Sequence, residues 1–254
     1  MRALHRRARL PITFIGDVAL AFGRALSMGW RFRLADFLRV LSDCSWRAVF
    51  IICVVNFLVG AILAFVGAVQ LSKLGAGIYV ADLVGIAVAR EMASIITAVV
   101  IAGRTGAAFA AEIASMHANE EIDALHVLGL RAIDFLVLPR VICLMMTMPM
   151  LYAFAFLTGI LGGMAVSAAM LDISPAAYLH RSQEALAWTH LLLGAGKSLA
   201  FGFLISMVGT YHGLYSARNA AGVGVATTGA VVTSIVGIII LDALFAICAN
   251  ALGI

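Results

Sequence analysis

The sequence predicts an all-α integral membrane protein with an interfacial N-terminal helix and about five transmembrane helices. Hydrophobic residues make up 63% of the 254 residues and charged residues only 12%, about half the charged share of an ordinary soluble domain. Five apolar segments reach the roughly 20 residues that a helix needs to cross a bilayer. Helices satisfy their own backbone hydrogen bonds in lipid, so this composition favours a multi-pass bundle with no sizeable soluble domain.

The five predicted spans follow one another with polar loops between them. They cover about residues 46–69, 83–110, 141–170, 190–211 and 229–249. We therefore expect two regions, a cytoplasmic N-terminal segment over residues 1–45 and a membrane domain over residues 46–254.

The N-terminal segment contains an apolar pattern of helical period over residues 11–30. Five apolar residues fall on one face of that helix: Ile15, Val18, Ala19, Phe22 and Leu26. This pattern predicts an amphipathic helix in the cytoplasmic interface of the membrane. Packing of the same helix on the bundle is compatible with this interpretation.

Positive charge is concentrated before the first span and indicates the orientation of the chain. Nine arginines face three aspartates there: Arg2, Arg6, Arg7, Arg9, Arg24, Arg31, Arg33, Arg39 and Arg47 against Asp17, Asp36 and Asp43. This bias predicts a cytoplasmic N-terminus. With five spans, the C-terminus is then on the outer side. An arginine-rich arm for nucleic acid is the competing interpretation, but arginines beside a span are expected without it.

Five ionisable residues lie inside the predicted spans, where charge is costly and often functional. They are Arg90, Glu91, Arg104, Lys197 and Asp242. At 1.5 Å per residue, Glu91, Lys197 and Asp242 all lie about 10–12 Å below the outer interface. Arg90 is adjacent to Glu91, so these four residues are expected to form an ion-paired cluster that joins three helices.

The cluster has more than one interpretation. It is either a static link between helices or a charge layer that contacts a headgroup or shifts between conformations. Lys197 can alternatively extend to the outer face, and Arg104 lies near the inner end of its helix, where such snorkelling is easy. A proton relay through the cluster would make the chain a secondary transporter.

The inner loop over residues 111–140 contains the other notable pattern. Residues 111–125 alternate apolar and acidic side chains at helical spacing, which predicts a short cytoplasmic helix able to dock into a groove of another protein. Glu120 and Glu121 with His117 or His126 match no standard metal-site spacing, so no metal is expected. The sequence also lacks a phosphate-binding loop and a hydrolytic constellation, which disfavours an enzyme acting on lipid.

Several motifs together resemble the MlaE/YrbE-type ABC permeases. They are Arg90-Glu91-Met92-Ala93, Ala102-Gly103-Arg104-Thr105-Gly106-Ala107-Ala108, Ala111-Glu112-Ile113, Met116, Glu120-Glu121-Ile122-Asp123-Ala124-Leu125, Lys197-Ser198, Phe201-Gly202, Gly222-Val223-Gly224-Val225-Ala226-Thr227-Thr228 and Ala230-Val231-Val232. The resemblance runs from about residue 46 to the C-terminus. Gly129-Leu130-Arg131-Ala132 departs from it, because many members carry Asp-Pro after the glycine.

The resemblance implies a homodimeric, non-catalytic permease in the bacterial inner membrane. Two cytoplasmic ATPase subunits would hold the ATP and Mg, and this chain would need no cofactor. A periplasmic ring of MCE-domain proteins would sit above the dimer, and phospholipid or a related lipid would move between the inner and outer membranes. With the N-terminus in the cytoplasm, the C-terminus would be periplasmic.

The resemblance also assigns roles to particular residues. The lipid cavity at the dimer centre, lined by the first and fifth spans, would involve Leu63, Gly67, Gln70 and Leu74. The inner-loop helix would couple to the ATPase through Glu112, Glu120, Glu121, Asp123 and Leu125. The charges at Arg90, Glu91, Lys197 and Asp242 match charged positions of the family. The hypothesis from sequence is an ABC lipid permease, and the alternative is a proton-coupled secondary transporter.

Overall fold

The computed structural model describes residues 12–24 and 34–253, and every regular element in these ranges is helical. The elements are eight helices: α1 (12–24), α2 (Leu34–Ser72), α3 (Gly77–Ala118), α4 (Glu121–Val127), α5 (Ile133–Leu171), α6 (Pro175–Ala185), α7 (Trp188–Leu214) and α8 (Ala220–Ala251). Within residues 34–253, short turns join consecutive helices, as expected for a helical membrane bundle.

Five of these helices are long and apolar enough to cross a membrane, which confirms the predicted number of spans. They are α2 from Arg47 onward, α3, α5, α7 and α8. All extend beyond the predicted limits, and α3 reaches 42 residues, about twice the length that a bilayer requires. Hydropathy detects only the apolar part of a helix, so it could not show that the polar ends stay helical.

The chain divides into two compact units, each built from three stretches. The first unit comprises Met1–Cys44, Ile101–Met146 and Gly202–Gly237, and the second comprises Ser45–Val100, Thr147–Phe201 and Ile238–Ile254.

In the first unit, α1 packs on the bundle with only part of its apolar surface. Phe14 and Val18 are buried against Val137, Val141 and Met207. Ile15 and Phe22, predicted to share one apolar face with Val18, are 55% and 42% exposed, whereas Val18 is buried. Both sides of α1 are apolar, which suits a helix between protein and lipid. Leu26 lies outside the described residues.

In the second unit, α2 and α5 approach closely because both carry glycine at the crossing. A Cβ built on Gly60 would overlap the carbonyl oxygen of Gly159, and one built on Gly162 would overlap the carbonyl oxygen of Phe57. Small residues at such crossings let helix backbones approach and pack by van der Waals contact in lipid. The glycines therefore set the α2–α5 distance.

The predicted outer loop over residues 171–189 contains a helix, α6, that hydropathy did not reveal. Ser174 caps its N-terminus by accepting a hydrogen bond from the Ala177 amide, and Pro175 occupies the first turn, the usual arrangement for a helix start. Tyr178 is fully buried in the same cluster as Ala81 and Ile160. Arg181 on α6 also pairs with Asp82 on α3 at 3.0 Å.

Candidate functional site

The second unit holds a group of four charges contributed by three helices. Lys197 on α7 has no exposed side-chain surface and pairs with both Glu91 on α3 and Asp242 on α8. Its Nζ is 2.9 Å from Asp242 Oδ1. Arg90 Nε lies 3.6 Å from Glu91 Oε1. The structure thus brings together the four charged residues that the depth argument grouped.

The four formal charges of this cluster sum to zero. Glu91 and Asp242 are 26% and 18% exposed, whereas Lys197 is 0% exposed. A buried charge is tolerated when a partner compensates it, and removal of one partner is costly. Full burial also means that Lys197 does not extend to the outer face, so the snorkelling interpretation is wrong.

A π-helical turn over Val88–Met92 carries the two charges of α3. Such a turn inserts an extra residue into an α-helix and is frequent at functional sites. Tyr152 donates to the carbonyl oxygen of Ala89 at 2.6 Å, and Ser94 donates to the carbonyl oxygen of Glu91 at 2.9 Å. These two hydroxyl groups thus satisfy backbone carbonyl oxygens of the π-helical turn. Sequence periodicity did not predict this turn.

Gly194 allows α7 to approach this turn. A Cβ at Gly194 would overlap both the carbonyl oxygen of Ala89 and the hydroxyl of Tyr152. Lys197 follows one helical turn later and is thereby brought to Glu91. Gly194 is therefore a packing residue for the charge cluster.

Arg104 belongs to the first unit. It sits in a second π-helical turn of α3, Ala102–Gly106. Gly106 in the same turn packs closely against α7, since a Cβ there would lie 2.9 Å from the Ile205 side chain and a Cβ on Gly209 would lie 2.8 Å from the Gly106 carbonyl oxygen. The two π-helical turns thus coincide with the Arg90-Glu91 and Arg104 motifs of α3.

The predicted helix over residues 111–125 is interrupted, which corrects the sequence interpretation. The helix α3 ends at Ala118, Glu120 adopts a left-handed φ of 62°, and α4 begins at Glu121. A positive φ is unfavourable for a residue with a side chain, so it marks a defined turn rather than continuing helix. Glu112 therefore lies on α3, and Glu121 and Asp123 lie on α4.

The predicted coupling residue Glu112 forms an ion pair with another residue of the same chain. It pairs at 2.7 Å with Arg140, whose side chain is only 8% exposed. Arg140 also donates to the carbonyl oxygen of Leu136 at 2.8 Å and stands over the Phe109 ring. Glu112 thus compensates a buried arginine.

On α4, the predicted coupling residues face in different directions. Leu125 packs towards the cluster of Ile113, Ile122, Ala132 and Leu136, so it anchors α4 to the bundle. Asp123 pairs with Arg218 at 2.9 Å. Glu120 and Glu121 are exposed, and the Glu121 carboxylate accepts from Asn119 at 3.3 Å.

Two apolar residues at the end of α4 are the feature that the sequence interpretation missed. Val127 is 88% exposed and Leu128 is 73% exposed. Because adjacent positions on a helix point in different directions, the run Leu125, Val127 and Leu128 cannot all face one core. The sequence therefore already indicated that some apolar side chains of α4 are exposed. We call the exposed pair Val127 and Leu128 the α4 tip.

A glycine-dependent cap ends α4. Gly129 has a φ of 74°, its amide donates to the His126 carbonyl at 3.0 Å, and the Leu130 amide donates to the Leu125 carbonyl at 2.9 Å. This pair of hydrogen bonds is the Schellman motif, in which glycine supplies the left-handed residue. The α4 tip is therefore held on a defined turn.

The four residues assigned to a lipid cavity lie along one side of α2 and its end. Leu63 is half-buried, Gln70 is exposed and Leu74 is 78% exposed in the turn after α2. A Cβ at Gly67 would contact the Val80 and Leu83 side chains at 3.6 and 3.7 Å, so Gly67 faces α3 within the chain.

Comparison with known proteins places this architecture in a family. The family model described as "Permease MlaE" matches residues 37–248. The chain is 37% identical over 207 residues to a Rickettsia conorii protein named "Probable ABC transporter permease protein", which covers 82% of this chain and 80% of the relative. A Synechocystis protein with the same designation is 40% identical over 166 residues, covering 65% and 63%.

A plant protein is also similar. The Arabidopsis thaliana protein named "TRIGALACTOSYLDIACYLGLYCEROL 1, chloroplastic" is 36% identical over 173 residues, which cover 68% of this chain and 49% of the plant protein. The match of the family model extends through the five spans and includes the buried charges and α4. The chain therefore belongs to the MlaE permease family and is the permease subunit of an ABC transporter.

Proposed function

We propose that this permease moves phospholipid or a related lipid between the inner and outer membranes of a bacterium, driven by a separate ATPase. The observation that carries the lipid assignment is the similarity to the Arabidopsis protein, whose name contains that of a galactolipid. An ABC permease requires an ATPase partner, which binds ATP and Mg, so this chain needs no cofactor of its own.

The five spans differ in how much of them is buried within the chain, and this difference supports a homodimer around a lipid cavity. In the most apolar part of each span, the buried share is only 22% for α2 and 11% for α8, against 44–50% for the other three spans. Large apolar side chains are exposed on both, including Phe57 and Phe65 on α2 and Ile240 and Leu244 on α8. We propose that a second copy covers part of these surfaces and that lipid occupies the rest, near Leu63, Gln70 and Leu74.

The charge cluster suits a structural link between helices better than a role in lipid binding. Glu91, Lys197 and Asp242 compensate one another within a single chain, so they join α3, α7 and α8 without a ligand. We propose that the cluster keeps these three helices together while the dimer opens and closes.

The outward surface of α4 fits the coupling helix of the proposed transporter. The exposed α4 tip would fill an apolar pocket of the ATPase, and Glu120 and Glu121 would lie at its polar edge. A buried apolar anchor with a polar rim is the usual arrangement of a stable interface. This assignment places α4 and the N-terminus in the cytoplasm and the C-terminus in the periplasm, where a ring of MCE-domain proteins would bind.

The proposal is tested by isolating the chain from its native membrane in mild detergent. We expect an ATPase and an MCE-domain protein to co-purify, and lipid mass spectrometry to find phospholipid enriched over the bulk membrane. A chain that purifies without an ATPase, or without lipid enrichment, would contradict the proposal. The same chain denatured and refolded in detergent controls for carry-over of bulk lipid.

A further inference from the structure

Arg218 lies in the short turn between α7 and α8 and contacts two distant parts of the first unit. Its Nη1 is 2.9 Å from Asp123 Oδ2, and its Nη2 donates to Asp123 Oδ1 at 3.2 Å. Its Nε donates to Nε2 of His117 at 3.1 Å. Asp123 is on α4 and His117 is in the last turn of α3, so one guanidinium connects three elements.

The guanidinium engages both carboxylate oxygens of Asp123 and one ring nitrogen of His117. Both carboxylate oxygens of Asp123 face the planar guanidinium, an arrangement that arginine makes and lysine does not. The His117 imidazole accepts a further hydrogen bond of the guanidinium through its Nε2. Asp123 is therefore turned towards Arg218, unlike Glu121, which is exposed.

Arg218 also lies directly before the start of α8. The next residue, Asn219, caps that helix by accepting from the Gly222 amide at 2.7 Å. The helix then continues unbroken from Ala220 to Ala251 and carries Asp242 of the charge cluster. A displacement of α4 that moves Arg218 would consequently move the first turn of a long, stiff helix.

The contact is better suited to setting orientation than to stabilising the fold. The side chains of Arg218 and Asp123 are 51% and 46% exposed, and ion pairs with such exposure contribute little to stability. The bidentate geometry nevertheless fixes the direction of α4 relative to the start of α8. The effect of its loss should appear in coupling and not in folding.

We propose that Arg218 is a positioning residue that links the coupling helix α4 to α8, and that Asp123 acts through Arg218 without contacting the ATPase. This inference rests on the proposed function, because it assigns a mechanical route to the same coupling helix. Glu121 and the α4 tip then form the docking surface, and the Arg218–Asp123–His117 group transmits the movement.

The test uses the purified complex of permease and ATPase in proteoliposomes. Both ATP hydrolysis and movement of a fluorescent phospholipid are measured for Arg218→Gln, Asp123→Asn, Asp123→Arg and the exchange Asp123→Arg/Arg218→Asp. We expect each single variant to lower the lipid moved per ATP hydrolysed several-fold. The exchange restores the opposite charges and is expected to recover at least half of the wild-type ratio. Arg131→Gln, which removes an exposed arginine near α4, is the charge-matched control.

An exchange variant as poor as Asp123→Arg alone would overturn the inference, because it would show that Asp123 contacts the ATPase directly. Single variants with the wild-type ratio would also overturn it. Failure of the proposed function has a different signature, since the wild-type complex itself would then show no ATP-dependent lipid movement.

Discussion

Lys197 is the residue on which the membrane-embedded charges depend. It is the only one of the four that is completely buried and the one that contacts both acids. The sequence placed Glu91, Lys197 and Asp242 at one depth, because residue number in a helix converts directly to height. It could not place Tyr152 or Gly194 beside them, because helix rotation and the π-helical turn decide which side chains meet.

A first prediction concerns the unequal cost of removing the partners. Lys197→Met leaves Glu91 and Asp242, which are 26% and 18% exposed, without their ammonium partner. It should lower the unfolding free energy by about 3 kcal/mol, the lower end of the cost of breaking a buried ion pair, because both acids keep some contact with solvent. Asp242→Asn leaves Lys197 paired with Glu91 and should cost less. Thermal unfolding of the purified variants in detergent measures both. Equal losses would show that Lys197 does not hold the two acids together.

At the scale of the elements, the number of spans followed from hydropathy, whereas helix ends, the turn at Glu120 and helix α6 did not. Hydropathy indicates whether a segment prefers lipid or water. It does not indicate whether a polar segment continues the backbone hydrogen bonds of a helix. The α6 helix has a readable start at Ser174-Pro175, so its capping signal was available. The inward direction of Leu125 and the pairing of Asp123 needed the tertiary structure.

The α2–α5 crossing gives a second prediction. Gly60→Val should destabilise the second unit strongly, because even a Cβ overlaps the Gly159 carbonyl, and overpacking typically costs about 1–3 kcal/mol or more. Gly196→Ala is the control, since a Cβ there meets no atom within 4 Å. The melting temperatures in detergent should fall for the first variant only. A fall of equal size in both would mean that the crossing is not tight.

The cap of α4 gives a third prediction. Gly129→Ala forces an alanine into the left-handed region and should weaken the end of α4 by about 1–2 kcal/mol. Gly129→Asn should be tolerated better, because asparagine visits that region more readily. Hydrogen exchange of the Leu130 amide reports the loss of its bond to Leu125. Unchanged protection in Gly129→Ala would show that the cap is not needed.

The docking surface of α4 gives a fourth prediction. Val127→Asp places a charge on the 88% exposed apolar tip and should weaken binding of the ATPase at least tenfold, since a buried unpaired charge disfavours an interface. Val127→Leu keeps the apolar contact and is the control. Affinity is measured by titrating purified ATPase onto the permease in detergent. Wild-type affinity of Val127→Asp would place the docking surface elsewhere.

At the scale of the whole molecule, the single chain leaves large apolar surfaces uncovered by its own helices. The spans α2 and α8 present most of their apolar surface outward, and α4 presents an apolar tip. Lipid can cover the first surfaces, but an apolar tip in water calls for a protein partner. The proposed dimer, with an ATPase docked at α4, would cover both surfaces. A single sequence reveals neither, because apolar composition does not state which face is left uncovered.

The most direct measurement is lipid movement by the reconstituted permease–ATPase complex under two separate driving forces. We expect labelled phospholipid to move on addition of ATP and Mg, with no movement under a pH gradient alone. An ATPase variant unable to hydrolyse ATP should abolish the movement. Movement driven by the pH gradient without ATP would contradict the account and identify the buried charges as a proton pathway.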